Sequence, residues 1–153
     1  MERIVPRESN EYLRYLIIRA GFFLIRTRRL ELARYHISPH QAYLLSILYT
    51  LGRSTTLKEL SWQTDRKINT LSVNMTKMER LGLVKKVRET PNSIHLSFEL
   101  EEKGTKTHLK CENPKAIKDI MSVLSEEENQ QLRLILRKIV NKAEKYKLEK
   151  VPK

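Results

Sequence analysis

One cysteine in 153 residues, Cys111, excludes an internal disulfide and the stapled scaffolds that small secreted proteins depend on. Histidine is scarce as well. His36, His40, His95 and His108 are dispersed without an HxxxH or a Cys/His cluster of metal-ligand spacing, so neither a metal nor another cofactor is expected. The chain holds four glycines and none lies in a phosphate-cradling loop; a nucleophile elbow, an HExxH and a convincing carboxylate pair are missing too. An enzyme is therefore not expected. Long apolar runs are also absent. The most apolar stretch, Leu16 to Ile25, is shorter than a bilayer span and contains Arg19, with Arg26, Arg28 and Arg29 close behind, so it reads as a buried helix and no membrane partner is expected. The first residues, Met1 to Pro6, lack the apolar core of a secretory signal, which makes a cytoplasmic location the expectation.

Acidic residues are the other shortage. Eighteen Asp and Glu stand against thirty Lys and Arg, a formal charge of +12, which favours a polyanionic partner. The excess is sharpest in residues 66–90, where Arg66, Lys67, Lys77, Arg80, Lys85, Lys86 and Arg88 face only Glu79 and Glu89. Charge alone does not separate nucleic-acid binding from a solvated helix face, so the pattern of elements has to decide.

With few glycines and prolines, helical periodicity dominates both ends of the chain. From about Asn10 to Tyr35, Leu13, Leu16, Ile17, Ala20, Leu24 and Leu32 recur at steps of three and four, predicting a long first helix. Ser38-Pro39-His40-Gln41 is a capping box with proline at the first helical position, and it opens a second helix ending near Gly52. Thr56-Leu57-Lys58-Glu59 repeats the box for a short third helix that carries Leu57, Leu60 and Thr64 inward. After a turn at Thr64-Asp65-Arg66, Ile68, Leu71, Met75 and Met78 share one face of a fourth helix that stops at Gly82. Two short helices across a tight turn form a helix-turn-helix.

Beyond Gly82 the period becomes two. Ile94, Leu96, Phe98 and Leu100 alternate with polar residues, and 84–89 can pair with them across a turn-forming tip at 90–93, giving a β-wing. The remainder is helical, interrupted at Pro114. A last helix is capped by Ser125-Glu126-Glu127-Glu128 and bears a stripe of Leu132, Ile135, Leu136, Ile139, Ala143 and Tyr146. Such a stripe needs an apolar partner, and a second copy of the chain related by a two-fold axis is the cheapest one. The fold class expected is mainly α with a small β-wing: an N-terminal dimerisation helix at 1–35, a winged helix-turn-helix at 36–100, and C-terminal dimerisation helices at 101–153.

The order of these elements, with five local strings between Tyr12 and Lys145, resembles the MarR family of winged-helix regulators. The strings are Ile37-Ser38-Pro39-His40-Gln41, Leu57-Lys58-Glu59-Leu60, Met78-Glu79-Arg80-Leu81-Gly82-Leu83-Val84, Leu100-Glu101-Glu102-Lys103-Gly104 and Leu124-Ser125-Glu126-Glu127-Glu128. The resemblance implies a homodimeric transcriptional repressor that binds a pseudo-palindromic operator in double-stranded DNA and is released by a small ligand or oxidant near the domain junction. One departure stands out. Where the family's wing carries an Asp and, two residues on, a minor-groove Arg, this chain has Asn92 and Ile94. Either Arg88 with Lys86 takes over, or the wing touches phosphate only, or operator affinity is modest. The alternative function is an architectural winged helix that binds DNA or RNA without sequence preference.

With Leu71 inward, the fourth helix turns Asn69, Thr70, Val73, Thr76 and Lys77 to the opposite arc. Asn and Thr can address base edges, Val73 a thymine methyl, and Lys77 a phosphate. Arg66, Lys67, Lys85, Lys86, Arg88 and Asn92 are the expected backbone and wing contacts, and Arg80 a phosphate or surface residue. Trp62 is expected to pack at the domain edge, with bracing of a DNA backbone as its alternative role, and His95 to lie exposed on the wing, with a phosphate contact as its alternative. Of Tyr12, Tyr15, Phe22, Phe23, Tyr43 and Tyr49, most are expected in the core, with a ligand pocket as their alternative role. Cys111 is expected to be a buried, inert thiol, its alternative role being an oxidant sensor whose thiolate is stabilised near Lys110 and His108.

Overall fold

A computed structural model describes residues 7–88 and 96–150. The expected tip of the wing, with Asn92, Ile94 and His95, lies outside the described residues. The chain forms two compact units, one ending at Ala116 and one beginning at Ile117.

In the first unit, helix starts follow the local chemistry. Ser9 Oγ accepts the Tyr12 N–H at the start of α1 (Asn10–Leu32). Both capping boxes form as expected, at Ser38/Gln41 for α2 (Pro39–Leu51) and Thr56/Glu59 for α3 (Leu57–Thr64). α2 ends on Gly52 in the left-handed conformation, φ +61°. The first helix stops earlier than its periodicity suggests. Ala33–Tyr35 tightens into a 3-10 turn and His36 adopts φ +56°, because Ile37 must turn back into the core before α2 begins.

α3 and α4 (Ile68–Arg80) are joined by a turn with Asp65 at φ +50°, and Ser61 Oγ donates to the Arg66 carbonyl at 2.6 Å across it. After α4, β2 (Val84–Arg88) and β3 (Leu96–Leu100) pair antiparallel, with Val84 opposite Leu100 and Lys86 opposite Phe98. A third strand, β1 (Thr55–Thr56), adds to the other edge of β3 and puts Thr55 opposite Phe98. Two residues are too few to display a period, so this strand has no signature in the sequence.

Leu44, Leu45 and Leu48 of α2, Leu60 of α3, Leu71, Met75 and Met78 of α4, and Val84 and Phe98 of the sheet form one buried cluster, closed by Leu32 and Cys111. Burying a side chain such as Phe98 stabilises the fold by about 3 kcal/mol, so the sheet face and α4 are held in register. α5 (Glu102–Cys111) leaves the wing directly: the Glu101 N–H donates to the Leu83 carbonyl at 3.0 Å, and Gly104 lies against that same carbonyl. α6 (Lys115–Met121) follows Pro114.

In the second unit, α7 (Glu126–Lys150) starts from a reciprocal Ser125/Glu128 box, with bonds of 2.8 and 3.2 Å. Leu134, Ile135, Leu136, Ile139, Val140 and Tyr146 are exposed on it. Among the described residues no helix is long and apolar enough to cross a membrane.

Two expectations about aromatic residues are corrected. Phe22, Phe23, Tyr15, Tyr43 and Tyr49 are exposed rather than core, and Tyr12 is half-buried. The cluster is filled by leucine and methionine from α2 and α4, and most of α1 lies beyond its reach. Trp62 does not pack at an edge: it is 82% exposed, because the short α3 sends Leu60 alone fully inward.

Candidate nucleic-acid interface

α4 has two faces of different chemistry. Leu71, Met75 and Met78 are buried against the core, while Asn69, Thr70, Val73, Lys77 and Arg80 are exposed and Thr76 is half-buried. Val73 is 55% exposed on a helix whose other face is sealed. Ile68, expected with the inner face, is exposed at the first position of the helix, where the core has already ended.

The N-terminus of α4 differs from those of α1, α2 and α3. Its N-cap is Lys67, which makes no side-chain cap, so the first-turn N–H groups of the helix are not taken up by a capping side chain. Uncapped N–H groups, the positive end of the helix dipole and the exposed Arg66 and Lys67 beside them suit an anionic oxygen. Arg66 also acts on His40 at the start of α2. Burial, and then the Arg66 charge, lower the imidazole pKa, and Nε2 makes no hydrogen bond among the described residues, so the ring stays neutral at physiological pH.

The wing strands carry Lys85, Lys86 and Arg88, all exposed. Two of these cations are already engaged. Lys86 lies on the side of the sheet shared with Val84 and Phe98, faces α4, and meets Glu79 at 2.6 Å. Lys85 points to the other side and meets the directly opposite Glu99 at 2.6 Å, which raises its pKa. The expectation that both lysines contact DNA includes neither of these pairings. Strand register would have exposed the Lys85/Glu99 pair, whereas the Lys86/Glu79 pair depends on how the helix packs on the sheet. Arg88 has no carboxylate within ion-pair distance among the described residues. Asn74, which has no assigned role in the sequence, donates its side-chain amide to the Thr70 carbonyl at 2.9 Å.

Elsewhere in the unit, Arg53 meets Glu59 at 2.7 Å. That bond, with the Thr56 N–H, holds the Glu59 carboxyl down at about 2. Cys111 is buried, and burial raises its thiol pKa against the opposing charges of Arg28 and Arg34. No group of three His, Cys, Asp or Glu among the described residues is arranged to hold a metal.

No family model and no curated protein matches this chain. Solved structures do. A DNA complex of Staphylococcus aureus MepR superposes with a TM-score of 0.72 at 24% identity, covering 88% of this chain and 99% of MepR. The organohalide-sensing transcriptional regulator RdhR-CbdbA1625, in its 2,4-dichlorophenol-bound form, gives 0.79 at 23% identity over 92% of this chain and 89% of its own. A cysteine-to-serine variant of Escherichia coli MarR bound to operator DNA gives 0.75 at 18% identity over 83% and 92%. The fold of this chain is the winged helix of MarR-family regulators.

Proposed function

We propose that the chain is itself a MarR-type transcriptional regulator, a non-enzymatic cytoplasmic repressor that binds a pseudo-palindromic operator in double-stranded DNA as a homodimer and leaves it when a small effector binds. The observation that carries this reading is the division of α4. An exposed arc of Asn69, Thr70, Val73 and Lys77 stands on a helix locked to the core by Leu71, Met75 and Met78, beside an uncapped, basic N-terminus.

In this reading Asn69 and Thr70 address base edges and Val73 a thymine methyl. Thr76 lies at the groove edge, and Lys77 holds a phosphate. Arg66, Lys67, Lys85, Lys86, Arg88 and Asn92 line the backbone, with the first two at the helix start and the others on the wing. Lys85 and Lys86 must then exchange Glu99 and Glu79 for phosphate. Segments 1–35 and 101–153 join the two copies and 36–100 reads DNA. Exposed Leu13, Ile17 and Phe22 of α1 and Ile135 and Ile139 of α7 support that pairing, since a lone chain leaves them in water.

Selection from random duplex DNA tests the proposal, alongside sedimentation of the full chain. One palindromic motif and a dimer are expected. Binding that depends on duplex length without a motif would replace the repressor with an architectural protein, and a stable monomer would remove the two-fold reading.

A further inference from the structure

Ion pairs among the described residues mostly stay local. Glu11/Arg14, Arg28/Glu31 and Glu102/Lys106 each lie within one helix, Arg53/Glu59 sits at a helix cap, and Lys85/Glu99 spans two paired strands. Lys86 and Glu79 differ: their contact crosses from β2 to the last turn of α4 and joins the two elements that the regulator reading lays on DNA. Packing sets the pair in place. Met78 of α4 is buried with Val84 and Phe98 of the sheet, and Glu79 and Lys86 stand at the edge of that cluster, with 34% and 39% of their side chains exposed. Both are therefore open to a phosphate.

A phosphate and the Glu79 carboxylate compete for one ammonium. When Lys86 turns to DNA, the ion pair is lost and the carboxylate is left as a like charge beside the backbone, so the exchange costs twice. Arg88 lies two residues further along β2, on the same side of the strand, and has no carboxylate within ion-pair distance among the described residues. It incurs neither cost. Lys86 and Arg88 are thus the two cations on this side of β2, and they are unequal. We propose that Glu79 sets the affinity for DNA by competing with the backbone for Lys86: Arg88 carries the phosphate contact of the wing, and Lys86 adds little while Glu79 is present. This inference rests on the regulator reading. Phosphate contacts carry no sequence information, so Glu79 weakens binding to every duplex alike and leaves Asn69, Thr70 and Val73 a larger share of the total. In a chain of charge +12, that restrains the electrostatic binding to bulk DNA against which an operator must compete.

Fluorescence anisotropy of the full chain on a random-sequence duplex at fixed salt tests the competition through Glu79→Gln, Lys86→Gln and the double variant. Glu79→Gln is expected to tighten binding by about two- to fivefold for each copy on the duplex. Lys86→Gln should cost less than about twofold in the parent and about two- to fivefold more than that in the Glu79→Gln background, whereas Arg88→Gln should cost the same in both. Glu102→Gln, which frees Lys106 on α5, controls for net charge and should leave binding within about twofold of the parent. Glu79→Ala repeats the gain with the side chain removed, and melting temperatures check that every variant is folded. Unchanged or weaker binding by both Glu79 variants would overturn the proposal, as would an equal cost of Lys86→Gln in both backgrounds or a matching gain from Glu102→Gln. Each of these leaves the regulator reading in place if the parent binds the duplex and selects a motif. No DNA binding by the parent or by any variant would sink that reading and this inference together.

Discussion

Adding one methyl group at Gly104 should loosen the junction between wing and α5. A Cβ at this position would stand 2.0 Å from the Leu83 carbonyl oxygen, 2.9 Å from its carbon and 3.0 Å from Leu100 Cδ2. The nearest of these is about 1 Å inside any tolerated approach and belongs to the backbone, so no rotamer change relieves it. α5 must move instead. That movement stretches the Glu101-to-Leu83 hydrogen bond, worth about 1 kcal/mol, and overpacks the junction at Leu83 and Leu100, at about 1–3 kcal/mol. A total of about 2–4 kcal/mol corresponds to a melting temperature lower by roughly 5–15 °C in a chain of this size. Gly82→Ala supplies the comparison. Gly82 has φ +71° but its nearest neighbour, a Lys103 side-chain carbon, is 3.8 Å away, so only the left-handed backbone costs, about 1–2 kcal/mol. Thermal melts followed by far-UV circular dichroism would compare them. If Gly104→Ala melted with the parent chain, or above Gly82→Ala, the close approach at Leu83 would be wrong.

On DNA, Asn69→Ala should cost about 1–3 kcal/mol on the best operator and relax preference at one or two base pairs of each half-site, while Lys77→Ala weakens all sequences alike. Anisotropy on selected and scrambled duplexes distinguishes them, and the reverse pattern would mean that α4 is misoriented. Glu59 has its folded pKa depressed from 4.5 to about 2 by Arg53 and Thr56. Its stabilisation is therefore complete above the ordinary carboxylate value and lost as pH falls toward 2. Denaturation across an acid series should give a shallower loss for Glu59→Gln than for the parent, and equal slopes would contradict this. Cys111, buried with its thiol pKa raised, should be alkylated slowly when folded and rapidly in denaturant, with Cys111→Ser leaving DNA binding unchanged. Fast labelling of the folded chain at neutral pH would argue against an inert thiol.

Much of the fold was legible because its signals are local. A capping box joins residues three apart, so Ser38/Gln41, Thr56/Glu59 and Ser125/Glu128 could be read directly and appear as hydrogen bonds. The inward face of α4 at Leu71, Met75 and Met78 and the alternation through Phe98 and Leu100 reflect fixed periods in the same way. Aromatic content misled, because a large apolar side chain reports that it needs cover but not whether its own chain supplies it. Phe22, Phe23 and Tyr43 stay exposed for that reason.

By itself, then, the sequence determined the order of the helices, the helix-turn-helix, the strands of the wing and the candidate arc from Asn69 to Lys77, since each depends on backbone preferences and periods within a few residues. Tertiary structure alone decided the pairing of β1 with β3, the engagement of Lys86 by Glu79, the close approach of Gly104 to Leu83, and the hydrogen bond from Arg28 of α1 to the Cys111 carbonyl 83 residues away. Those contacts depend on which surfaces the packed core brings together, and no local period records the distance between them.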